Sequence, residues 1–108
     1  MSQSYKKNLY WRSKEHLKAV AELPCMRCGR EGYTQAAHSN QLEHGKGRGI
    51  KASDQYAAAL CMACHFQIDM GNKLSKQERR DEWNKAWERT VAELKERKRW
   101  VFKDEEND

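Results

Sequence analysis

Two C-x-x-C pairs, Cys25/Cys28 in "CMRC" and Cys61/Cys64 in "CMAC", constrain this chain more than any other feature. Each pair is short enough to form a knuckle in which two thiolates converge, and two knuckles make a tetrahedral four-thiolate site for a structural zinc ion. Gly29 follows the first pair and permits the backbone to bend there. The alternative is two unrelated pairs of buried or redox-active cysteines. Between Cys28 and Cys61 lie 32 residues, more than the roughly 15–20 of a minimal paired-knuckle finger, so further structure is inserted between the two halves.

Size and composition make such a cross-link valuable. With 108 residues the chain is one domain's worth, able to bury roughly 60–70% of its unfolded surface. A hydrophobic fraction of 38%, a charged fraction of 34% and a mean hydropathy of −1.13 leave a sparse core. Trp11, Trp83, Trp87 and Trp100 carry much of it. No apolar run approaches the roughly 18 residues of a membrane span, and the N-terminus lacks the pattern of a secretory signal, so a cytosolic location away from membranes is expected. Cysteines there are reduced, which favours metal ligation over disulfides.

The net charge of +5 and pI near 9.1 favour an acidic partner such as nucleic acid. Residues 1–24 hold five Lys/Arg against two Glu, residues 25–74 six against four, and residues 75–108 ten against ten. The last third therefore reads as neutral and rich in salt bridges rather than as a basic arm.

Three parts follow one another without a linker. Trp11 or Ser13 opens a helix over about 13–23, with Leu17, Val20, Ala21 and Leu23 at helical spacing and Pro24 as its stop. His16, among polar neighbours, reads as exposed. The metal-binding centre spans 25–74. Ser75-Lys76-Gln77-Glu78 is a capping box opening a second helix to about Trp100, with Trp83, Trp87, Thr90 or Val91, and Leu94 on one face as core or as a dimer seam. An acidic, solvated tail closes the chain at 103–108.

His65 and Asp69 raise the possibility of a second metal. Four residues apart, they share one face of any helix that starts at the Cys61/Cys64 knuckle. Such a pair suits a hard divalent ion with positions left for water and phosphate; equally, His65 could cap the knuckle and Asp69 be a solvated charge. In "HGKGRGIK", glycines alternate with Lys46 and Arg48 ahead of Lys51. Glycine lets backbone N–H groups approach a phosphate, so these three cations are candidate nucleic-acid contacts, with a plain flexible loop as the alternative.

The order "PCMRCG…AAHSN…LCMACHFQID" resembles the HNH, or ββα-metal, nuclease superfamily, and is most similar to small phage and prophage HNH-like proteins of the YbcO type, over roughly residues 8–90. Shared features are Ala37-His38, the Gly-rich basic loop, Asp54 seven residues before Cys61, and the Cys61-to-Asp69 ending. The resemblance implies an α+β fold: a two-stranded hairpin and a helix clasping a divalent ion such as Mg²⁺, stabilised by zinc on Cys25, Cys28, Cys61 and Cys64, with helices flanking that core. It implies a DNA endonuclease of a bacterial host cell, with His38 as general base and His65 and Asp69 on the catalytic ion.

Ala37 departs from the pattern, since relatives carry Asp or His before the base as a further ligand. His44 and Asp54 are the candidates to replace it. The usual asparagine also lacks a direct match, as Gln55 and Tyr56 stand near its place and Asn40 lies on the other element. The rival functions are a non-catalytic zinc-ribbon protein for DNA binding or recombination and a four-cysteine protein-interaction module. A homodimer or a phage recombination or replication partner would extend either DNA reading.

Overall fold

A computed structural model describes residues 11–41, 44 and 52–102. In chain order the elements are α1 (Lys14–Ala21), β1 (Thr34–His38), β2 (Ala57–Cys61), α2 (Met62–Asp69) and α3 (Lys76–Glu96). The fold is a small α+β arrangement in which the strands form one antiparallel ribbon. Among the described residues no helix is long and apolar enough to cross a membrane.

Local chemistry sets the helix ends. Ser13, in extended backbone, accepts the His16 N–H at 3.1 Å and starts α1. Ser75 Oγ accepts the Glu78 N–H at 3.1 Å while Glu78 Oε1 accepts the Ser75 N–H at 2.7 Å, the reciprocal capping box expected from the sequence. At its far end α3 stops at Glu96, short of the expected Trp100. Lys98 adopts φ 60°, its N–H bonds Lys95 O, and the Arg99 N–H bonds Leu94 O at 2.7 Å. These bonds form a Schellman stop that turns Trp100 back onto α1.

The ribbon is narrow and built from small side chains. Every residue of β2 is buried, and Ala36, Ala37 and His38 of β1 pair with Ala59, Ala58 and Ala57. Alternation sends Ala36 and Ala59 toward Ala19 and Val20 of α1. Ala37, Ala58 and Leu60 face Ile68 of α2 and Trp83 and Ala86 of α3. Alanine is a poor strand former but a thin one, so helices can approach both faces. The outer edge of β2 is also closed. Ala59 O accepts the Met26 N–H at 2.8 Å, and the Ala59 N–H donates to Thr90 Oγ1 at 2.9 Å.

The tryptophan stripe of α3 is core. Trp83 donates its indole N–H to Ala37 O at 3.0 Å and Trp87 donates to Gln55 O at 2.8 Å, with the two rings stacked. Thr90, rather than Val91, occupies the inward position.

His16 corrects the sequence expectation. It is 1% exposed, edge-on to Trp11, Trp100 and Phe102, and neither ring nitrogen has a hydrogen-bond partner among the described residues. Lys14, Glu15 and Lys18 make its sequence surroundings polar, but it shares the buried face of α1 with Ala19 and Val20, and its ring cover comes from distant parts of the chain that no local pattern reveals. Burial holds its pKa below the ordinary 6.5, partly offset by the charge and backbone carbonyl of Asp54.

Thr90→Val should remove the acceptor for the buried Ala59 N–H at nearly constant volume. The expected loss is about 1–3 kcal/mol, read from urea unfolding, with Thr90→Ser retaining most of the stability. His16 should add a pH dependence of definite sign. Its folded pKa lies below 6.5, so the unfolded chain takes the proton first. Stability should be full above about pH 6.5 and decline as pH falls through it. The difference in unfolding free energy between wild type and His16→Phe should show that decline.

Candidate functional site

The four cysteines meet where the loop after α1 crosses the junction of β2 and α2. Their sulfur atoms lie within 4.8 Å of one another, with Cys28 Sγ and Cys61 Sγ 3.7 Å apart. A tetrahedron of Zn–S bonds near 2.3 Å has edges of about 3.8 Å, so the cluster could hold a zinc ion. Both knuckles have the expected form. The N–H groups of Arg27 and Cys28 point at Cys25 Sγ at 3.4 Å, the Cys64 N–H points at Cys61 Sγ at 3.5 Å, and Gly29 takes φ +86°.

The thiols interact strongly enough to pull their pKa values apart. Burial opposes the Cys25 thiolate, but the N–H groups directed at its sulfur, Cys28's foremost, bring it down to about 6. Burial pushes the Cys64 thiol up to about 12, against the pull of Arg27 and with the crowding of the other three sulfurs. Ionising all four thiols together would call for a neutralising cation.

A second cluster forms on the exposed side of α2. His65 Nε2 stands 3.1 Å from Asp69 Oδ2, confirming that the two share a helix face. Gln35 on β1 holds His65 Nδ1 at 2.8 Å through its amide oxygen, and Asn40 Nδ2 donates to Asp69 Oδ1 at 2.7 Å. With its Nδ1 side on the Gln35 amide oxygen, the ring turns Nε2 to the carboxylate, where a proton or a cation can bridge the two. Asp69 is held below the usual carboxylate range, chiefly by the hydrogen bond with His65, against burial and with help from Asn40 and Arg79.

Beside this cluster lies a cleft of about 210 Å³, bordered by Asn40, Asp69, Lys76, Arg79 and Arg80 and floored by Trp83. Arg79 is committed to the scaffold, bonding Asp69 O and Gly71 O and so closing the end of α2. Gln35 and the cations of the first turn of α3 escaped sequence reading. The charge cluster in "SKQERR" was the available signal for the cations.

His38 belongs to a third cluster. It ends β1, and its Nε2 lies 2.8 Å from Asp54 Oδ1, while Asp54 Oδ2 accepts the Ser13 N–H at 2.6 Å. Asp54 is 3% exposed and has Arg12 Nη1 at 3.8 Å. Strand alternation puts His38 on the α1 face of the ribbon, opposite Gln35 and Ala37, which face α2. Asn40, two residues on, reaches Asp69, so the segment after β1 links the two clusters, with His38 on the α1 face of the ribbon and His65 on α2.

The candidate supporting residues thus divide. Asp54 orients His38 and Asn40 orients Asp69. His44 is held by Ser39 Oγ at 2.7 Å and stacked on Tyr56. Lys46, Arg48 and Lys51 lie outside the described residues. Compared with known protein families, curated proteins and solved structures, the chain matches none.

Zinc should be a structural requirement. One zinc per chain is expected by atomic absorption. Cys61→Ser should abolish it and the folded signal together, since structural zinc in small domains contributes on the order of 10 kcal/mol. Cobalt in its place should give the intense visible absorption of a tetrahedral thiolate site.

Proposed function

We propose that this chain is a metal-dependent DNA endonuclease in which the ribbon and α2 act as a ββα-metal core. The observation that carries this reading is the His65/Asp69 pair, oriented by Gln35 and set beside a cleft bearing Lys76 and Arg80. Once the proton shared between them is released, an ionised carboxylate and an imidazole nitrogen set side by side are ligands for a divalent ion, and the nearby cations suit a phosphodiester. When bound there, the ion supplies positive charge to the non-bridging and leaving oxygens of the scissile phosphate.

The chain's own groups do the rest. Asn40 fixes the Asp69 carboxylate, Gln35 fixes the His65 ring, and Lys76 and Arg80 hold the phosphate backbone along the cleft. His38, its Nε2 held by buried Asp54 on the α1 face, is assigned as the base that takes a proton through Nδ1 from water reaching the end of β1, where Asn40 meets Asp69. The zinc knot fixes the start of α2 and hence the direction of His65 and Asp69.

A second reading, a non-catalytic DNA-binding protein on the same scaffold, is favoured by one observation. Ala37 stands on the α2 face where a further ligand could be, and His38 leaves the strand on the opposite face.

Plasmid nicking with added Mg²⁺, Mn²⁺, Ni²⁺ or Zn²⁺ decides between them. The nuclease reading expects His38→Ala to lower cleavage by about 10²-fold or more with zinc content and DNA affinity retained. His65→Ala and Asp69→Ala should instead raise the divalent-ion concentration required. Salt-dependent DNA binding with no cleavage of any DNA form would favour the second reading.

A further inference from the structure

The side of α2 next to His65 and Asp69 is apolar and open. Tyr33, Met62 and Phe66 are 56%, 62% and 57% exposed and line one groove. In a chain with so sparse a core, two aromatic rings and a thioether left in water on adjacent surface call for an occupant. The groove carries Arg30 and Lys73 on its rim, and no carboxylate is among its lining residues. Neither cation is in an ion pair among the described residues.

Resting on the nuclease reading, we propose that this groove stacks the unpaired bases of a single nucleic-acid strand, whose backbone passes the His65/Asp69 pair. Helix geometry makes the two surfaces continuous. Phe66 follows His65 by about 100° of rotation, and Met62 lies one turn before it on the same side. Tyr33 is fixed alongside, because its carbonyl accepts the Met62 N–H at 3.2 Å. The Arg30 guanidinium sits 4.3 Å from the centroid of the Tyr33 ring. That contact steadies the ring from one face and leaves the other to a base, with the guanidinium charge still available to a phosphate.

Charge separates this occupant from a protein partner. Two cations with no carboxylate among the lining residues favour a polyanion, and aromatic faces interleaved with them match the two parts of a single strand, base and phosphate. A base-paired duplex keeps its bases stacked on one another and cannot offer them to Phe66. The groove therefore directs the site toward gapped, flapped or fully single-stranded substrates.

The test reads binding without turnover, using the zinc-loaded full chain with no other divalent ion. Fluorescence anisotropy would compare oligothymidylate of about ten nucleotides, an abasic strand with the same number of phosphates, oligouridylate and a blunt duplex. The wild type should prefer the base-bearing strands to both abasic strand and duplex, and the ratio of thymidylate to uridylate affinity reports DNA against RNA. Phe66→Ala and Tyr33→Ala should each weaken thymidylate binding about tenfold while leaving the abasic strand unchanged. Phe66→Trp should restore it. Both side chains are more than half exposed, so unchanged melting is expected and serves as the control.

Equal affinity of the wild type for abasic and base-bearing strands would overturn the proposal. So would variants that bind thymidylate normally, or a concentration-dependent dimer that Phe66→Ala disrupts in place of DNA binding. The two readings fail separately. A protein that cuts nothing yet keeps base-dependent binding through Phe66 removes the nuclease and keeps this groove. One that cuts DNA but binds the abasic strand equally well does the reverse.

Discussion

Four sulfur atoms within 4.8 Å of one another join the segment after α1 to the junction of β2 and α2, and the other contacts are organised around that knot. Cys61 is at once the last residue of β2 and the N-cap of α2, so whatever holds its sulfur sets the angle between ribbon and helix. Met26, carried by the first knuckle, closes the edge of β2 through the Ala59 carbonyl. Arg27 reaches from the same knuckle to Gln67 on α2 and Glu82 on α3. A core made largely of alanine could not hold these elements by burial alone, because each methyl removes little apolar area from water.

Much of this frame was legible in the sequence because its signals are local. Cysteine spacing gave the knot, Ser13 and the Ser75/Glu78 box gave two helix starts, and Trp83, Trp87 and Leu94 gave the inward face of α3. The strands were not legible from propensity. "AAALC" is composed of residues that favour helices or report nothing, and only the resemblance to nuclease hairpins implied a ribbon. Its strand conformation is imposed from outside, by pairing with β1 and by the Thr90 hydroxyl on its edge. His16 failed for the same reason, since Trp100 and Phe102 cover it only because Lys98 turns the chain back.

The candidate site was legible in its residue types and not in its partners. The i, i+4 spacing brings His65 and Asp69 together as expected. Gln35, which fixes the histidine, comes from a strand thirty positions earlier and carries no signal of its own. Strand alternation also has a consequence that residue order hides. Adjacent residues on an extended strand point to opposite faces, so Ala37 and His38 cannot both face α2. Ala37 is packed into the core on the α2 face, and Asn40, one residue beyond Ser39, reaches Asp69.

Charge shows the same difference between counting and placement. Residues 75–108 sum to zero, yet the first turns of α3 present cations to the cleft. The carboxylates there are occupied elsewhere: Glu78 by the Ser75 backbone N–H, Asp81 by Gln77, and Glu82 by Arg27. Lys76, Arg79 and Arg80 border the side facing Asp69. A neutral segment thereby supplies a positive surface, because the cap and Arg27 of the first cysteine knuckle engage its acids on other faces of the helix. The folding devices and the electrostatics of the cleft are thus set by the same side chains. Glu82→Gln would act on both, loosening Arg27 from α3 and removing a negative charge from the helix that bears the cleft's cations.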